Sequence, residues 1–163
     1  MKERQNKGFG IIEAITGMAI ASLMLLVFIS LITYSIKVSK RNISEIKAIM
    51  HLQEAIEISR DLEVSNWSEI GKPGCASPSK CHIESVDNEW FLGAGSETLE
   101  DAYSRSISVE NVLRNQLDFP NEITTGSGII DPSTKKIVAE IIWDDGFGPR
   151  ALNLETYVYN PSP

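Results

Sequence analysis

Residues 14–36, AITGMAIASLMLLVFISLITYSI, run for 23 consecutive positions without a charged side chain. At about 1.5 Å of rise per residue this makes about 35 Å of helix, enough for the hydrocarbon core of a bilayer, about 30 Å thick. The stretch holds one glycine and no proline, so nothing in it breaks a helix outright. A purely cytosolic enzyme is disfavoured from the outset.

Downstream of Ile36 the pattern changes at once. Lys37, Lys40 and Arg41 follow, and apolar residues then recur among charged ones at helical spacing. Ile43, Ile46, Ile49, Met50, Ile56 and Leu62 lie near one stripe, with Lys40, Arg41, Glu45, Lys47, Glu54, Glu57, Arg60 and Asp61 mostly off it. No proline precedes Pro73, so the spacing predicts one helix over 9–67, with 9–36 suited to lipid and 37–70 an amphipathic continuation whose stripe needs a cover. Gly71-Lys72-Pro73-Gly74 breaks the pattern.

Beyond the breaker come strand-like runs at His82–Val86, Glu89–Leu92, Ser106–Val112, Lys136–Trp143 and Ala151–Tyr159, the last two joined by a hairpin loop over Asp144–Arg150. In the final run Leu152, Leu154, Thr156 and Val158 alternate with polar or aromatic residues, which gives a sheet one face to lay on a helix. Asp101–Asn115 has a mixed pattern that also admits helix. The fold expected is α+β: a long N-terminal helix, membrane-spanning in its first half and amphipathic in its second, packed on a small antiparallel β-sheet, with residues 71–163 forming a globular β-rich domain.

Charge divides along the chain. Residues 1–8 carry a net +2 and the other 155 carry −9, for a total of −7. From Lys72 to Pro163 there are 14 acidic and 7 basic residues. Such a surface repels nucleic acid and anionic headgroups alike, so no direct nucleic-acid partner is expected.

Upstream of the apolar run the chain reads Lys7-Gly8-Phe9-Gly10-Ile11-Ile12-Glu13. No small-residue cleavage site follows Ile36, so the hydrophobic segment is expected to stay in the mature protein. Glu13 sits among apolar neighbours near the polar end of the span. An acid at the centre of a membrane helix costs about 2.5–3.5 kcal/mol, less near the interface. Such a carboxylate calls for a cationic partner, or for solvation by headgroups.

Lys7-Gly8-Phe9, Glu13 and the apolar helix after them closely resemble the N-terminus of type IV prepilins and pseudopilins. The resemblance is strongest over Lys7–Leu62. It implies a pilin-like fold and cleavage between Gly8 and Phe9 by a prepilin peptidase that also methylates the new amine on Phe9, with residues 1–8 as the leader. It further implies that Glu13 serves assembly by neutralising the Phe9 amine of a neighbouring subunit, a register device because an unpaired charge in apolar surroundings costs several kcal/mol. Ala55-Ile56-Glu57-Ile58-Ser59-Arg60-Asp61-Leu62 with Asn66-Trp67 is similar to the helix end of minor pilins, and Ile141-Ile142-Trp143 with Leu154-Glu155-Thr156-Tyr157 to their last strands. Gly10 stands where a small hydroxyl residue is common, and Ser30 lies in a stretch where major pilins often bend at proline. A minor pilin or pseudopilin is therefore expected rather than a main filament protein.

Cys75 and Cys81 are the only cysteines. A bridge between them closes a small ring, is worth about 2–3 kcal/mol on chain-entropy grounds, and persists only in an oxidising space; two free thiols are the alternative. Family members usually enclose a C-terminal loop instead. A metal site on Cys75, Cys81 and His82 lacks a fourth ligand. Asp144-Asp145-Gly146 lacks the spacing of a calcium hand, Gly93-Ala94-Gly95 is too short for a phosphate loop, His51 reads as a packing or surface residue, and Trp67, Trp90 and Trp143 read as packing residues. Asn42-Ile43-Ser44 and Asn66-Trp67-Ser68 fit a glycosylation triplet by composition alone.

Basic residues flank both ends of the span, so charge alone does not orient it. The leader-type match and the cysteine pair together imply a cytoplasmic N-terminus and an extracytoplasmic C-terminal domain. The expectation is a non-enzymatic structural subunit of a type IV pilus or type II secretion-like filament. It resides first as a single-pass protein in the inner membrane lipid and then at the cell surface, with prepilin peptidase and other pilin subunits as partners and no cofactor. The competing expectation is a single-pass anchored extracytoplasmic binding module that never enters a filament.

Overall fold

The computed structural model describes residues 10–115 and 122–160, so Gly8 and Phe9 lie outside the described residues. The chain divides into two compact units, Met1–Ile43 and Ser44–Pro163. One helix, α1, covers Ile11–Ser65. Its first part is apolar and unburied, long and apolar enough to cross a membrane.

The second unit places the later turns of α1 on one antiparallel sheet. After α1 come a short helix α2 (Trp67–Ile70) and a 3₁₀ turn (Pro73–Cys75), then β1 (Cys81–Val86), β2 (Glu89–Ala94), β3 (Glu97–Leu99), β4 (Tyr103–Arg114), β5 (Ile123–Thr124), β6 (Ile129–Asp144) and β7 (Pro149–Tyr159). The sheet runs β2-β1-β4-β6-β7, with β3 and β5 also pairing with β4. The β1–β2 hairpin turns through Asp87 and Asn88 at φ of 53° and 67°, the left-handed pair a two-residue turn requires. In β4, Tyr103, Arg105, Ile107 and Val109 are buried at every second position, as the pleat dictates.

Ala48, Leu52, Ala55, Ser59 and Leu62 recur at spacings of four and three and are all buried. Ala48, Leu52, Ala55 and Leu62 meet Ile107, Ile137, Ala139, Ile141 and Val158 in a single cluster. Ala48, Ala55, Ile137, Ala139 and Ile141 have no exposed surface. Small side chains on helix and sheet bring the two backbones close, and the larger neighbours fill what remains.

The stripe expected from hydropathy is thereby corrected. Ile43, Ile46, Ile49 and Met50 are exposed, and only Ile56 and Leu62 of that set reach the core. The helix also stops earlier than 67: Asn66, at φ −154° and ψ 75°, breaks it between α1 and α2. Asp101–Asn115 holds strand rather than helix, over Tyr103–Arg114, because β4 pairs with β6 from Tyr103↔Trp143 to Arg114↔Ile129. The short β3 and β5 and the first part of β6 were not expected. Pro132 enters β6 at the register shift between Asn111 and Val112, where a ladder tolerates a missing N–H.

Candidate functional site

In the first unit, Gly10 carbonyl accepts from the N–H of Glu13 (3.0 Å) and of Ala14 (3.2 Å), which starts α1. Glu13 lies in the first turn, where the positive end of the helix dipole favours a carboxylate. Four hydroxyls of the span are satisfied within the helix: Thr16 donates to the carbonyl of Ile12, Ser22 to Met18, Ser30 to Leu26 and Thr33 to Ile29, at 2.8–2.9 Å. No polar side chain of this group then demands water, as an apolar solvent requires. Ile11, Ile12, Ile15, Leu23, Leu25, Val27 and Ile29 are all exposed in the single chain.

In the second unit, a polar clasp joins α1 to the β3–β4 region. The Arg105 guanidinium, only 3% exposed, donates to Glu97 (2.7 Å), to Glu54 (2.8 Å) and to the His51 carbonyl (2.8 Å). Tyr103 hydroxyl donates to the Ser44 carbonyl at 3.2 Å, and the Tyr103 ring lies 5.5 Å from that of His51. Lys47 donates to Glu100 at 2.6 Å. That hydrogen bond holds the Glu100 carboxyl below the usual range and the Lys47 ammonium above it. His51 is thus a junction residue, half-buried between Glu54 and Glu100 at 3.7 Å from each. A buried arginine serving two acids carried no sequence signal, since Arg105 sits in a strand among serines.

Cys75 and Cys81 form a disulfide with Cα atoms 5.2 Å apart, and both are buried. The bridge ties the 3₁₀ turn to the start of β1, beside the contact of Ser77 N–H with the Val109 carbonyl (2.9 Å). Glu69 is buried nearby. Burial pushes its carboxyl up, but hydrogen bonds from Lys72 and from the Leu92 N–H outweigh this and leave it below the ordinary range.

The other candidates resolve into local structure. Asp144 accepts from Gly146 N–H (2.7 Å), and Asp145 from Phe147 N–H (3.0 Å) and Arg150 (3.0 Å), so both acids close the β6–β7 hairpin tip. Gly93 lies in β2 opposite His82, and a Cβ there would meet the Glu84 carboxylate that pairs with His82 at 2.8 Å. Among the described residues, no three His, Cys, Asp or Glu side chains converge as metal ligands.

Comparison with family models, with curated proteins and with solved structures returns no match.

Proposed function

We propose that the chain is a prepilin-like filament subunit, a minor pilin or pseudopilin, trimmed between Gly8 and Phe9 and assembled through the first half of α1. The observation that carries the reading is Glu13 in the first turn of a helix whose membrane-length apolar window is wholly unburied in the single chain. Gly10, Ala14, Gly17 and Ala21 support it, because their spacing of four, three and four puts small residues on one face, where membrane helices approach closely. A Cβ at Gly17 would meet nothing in the isolated chain. The disulfide suits a domain that works outside the cytoplasm. In this reading the subunit rests in the inner membrane, N-terminus inside, and the Glu13 carboxylate then pairs with the liberated amine of a neighbouring Phe9. The protein performs no catalysis; its partners are prepilin peptidase and other pilin-like subunits of a pilus or a secretion filament.

The test is mass spectrometry of the full chain co-expressed with a prepilin peptidase. The expected product lacks Met1–Gly8 and carries one methyl on Phe9. An uncut chain under those conditions turns the reading to a single-pass anchored module.

A further inference from the structure

A groove of about 340 Å³ opens between the end of α1 and the β1–β2 hairpin, lined by Asp61, Ser65, Asn66, Asn88, Glu89 and Trp90. Asn88 is held by the left-handed two-residue turn, and Trp90 packs against the core while its remaining surface lines the groove. Ser65 hydroxyl is used within the helix, donating to the Asp61 carbonyl at 2.8 Å. Among the described residues, neither the Asp61 and Glu89 carboxylates nor the Asn88 amide has a hydrogen-bond or ionic partner, and Asn66 uses only its carbonyl oxygen, accepting from Ser68 hydroxyl at 2.6 Å.

The groove is overloaded with acceptors. Two carboxylates face it and no lysine or arginine lines it. The last turn of α1, whose carbonyl end already carries partial negative charge, has no basic residue to offset it. What complements the groove is a donor-rich ligand without negative charge. Phosphates and uronates are repelled. An aromatic surface beside carboxylates and carboxamides matches the alternating C–H faces and hydroxyl edges of a pyranose, whose hydroxyls make charge-assisted hydrogen bonds to carboxylates.

We propose that this groove is a saccharide subsite, taking an uncharged sugar ring beside Trp90 with its hydroxyls donating to Asp61 and Glu89 and bonding to Asn88. The subsite belongs to the second unit alone and does not depend on filament assembly.

The test uses the full chain in a detergent free of sugar headgroups, titrated with chitotriose, maltotriose, sialyllactose, trilysine and Ca²⁺ alone, and read by saturation-transfer NMR and tryptophan fluorescence. Asp61→Asn and Asn88→Gly, the latter keeping the left-handed turn, are compared with the parent after circular dichroism establishes equal melting. The expected result is saturable binding of a neutral trisaccharide, weakened about tenfold by each variant, with sialyllactose weaker still. Three results overturn the proposal: no saturable neutral-sugar signal up to about 10 mM, binding that neither variant changes, or saturation by trilysine or Ca²⁺ where sugars fail.

Discussion

Arg105 Nη1 lies 2.8 Å from Glu54 Oε2, and this contact fastens the middle strand of the sheet to the helix above it. The arginine is almost wholly buried, while Glu97, its other acid, is 18% exposed and Glu54 53% exposed. Removing the cation strands Glu97 in a poorly hydrated place. Arg105→Leu is expected to destabilise the protein by about 3 kcal/mol, whereas Glu54→Ala, the exposed side of the pair, costs about 1 kcal/mol or less. Thermal unfolding of the full chain in detergent, followed by circular dichroism, reads both; equal losses would contradict the asymmetry of burial.

Helix packing offers a sharper contrast. Ala55 has no exposed surface, and Met50, five residues earlier on α1, is 61% exposed. Ala55→Leu is expected to cost about 2–3 kcal/mol through overpacking, and Met50→Ala less than about 0.5 kcal/mol. The same melting experiment decides it. If Met50→Ala were the costlier change, the assigned buried face of the helix would be wrong.

Asp131 is held by hydrogen bonds from Thr134 (2.6 Å) and Arg114 (2.5 Å), which pull its carboxyl from 3.8 down to about 2. A group whose pKa is depressed by folding stabilises the native state above its unfolded pKa and loses that contribution as pH falls through the folded one. Its contribution, up to about 2 kcal/mol, is therefore full near neutral pH and fades between about pH 4 and pH 2. Asp131→Asn should be less stable than the parent at pH 7, and the two should converge at pH 2. Urea titrations across that range measure the gap, and a constant gap would refute the linkage.

The bridge between Cys75 and Cys81 closes a loop of sequence separation six. Chain entropy gives it about 2 kcal/mol, so the double Cys→Ser variant is expected to unfold at lower denaturant by that amount with the sheet intact. Thiol titration under denaturing, non-reducing conditions should find no free thiol in protein recovered from the membrane; two free thiols would place the second unit in a reducing space.

Glu13→Ala tests assembly directly. The variant is expected to insert and to be trimmed like the parent, because the apolar run from Ala14 to Ile36 is untouched. Its recovery in sheared filaments should fall by tenfold or more, the size of about 1.4 kcal/mol or greater lost per subunit contact. Undiminished incorporation would remove the role assigned to that carboxylate.

Local signals were legible where chemistry is local. The charge-free run became the first part of α1, the alternation after Ala151 became β7, and the turn at Asp87-Asn88 closed a hairpin between two expected strands. The stripe was misread for a physical reason. Ile46, Ile49 and Met50 outrank Ala48, Ala55 and Ser59 in hydropathy, yet a helix lying close on a sheet needs small side chains at the contact. The helical option for Asp101–Asn115 failed similarly: Arg105, Ser106 and Ser108 look like surface residues until β6 pairs alongside and Glu54 and Glu97 reach the arginine. Asp61 and Asn66 entered only the helix pattern, the pilin-like helix end and a glycosylation triplet, and Trp90 only packing, since Asp61 and Asn88 lie 27 positions apart in the chain.

By itself, then, the order of residues determined a charge-free helix with one acid at its head, a break after it, and a run of strands. Those features rest on periodicity and on the cost of placing charge in an apolar medium, which neighbours in sequence settle between them. Which side of the helix meets the sheet, which arginine is buried, and which polar groups are left without partners were decided only by tertiary packing. Each depends on how closely two distant backbones approach and on which acids the approach brings within reach.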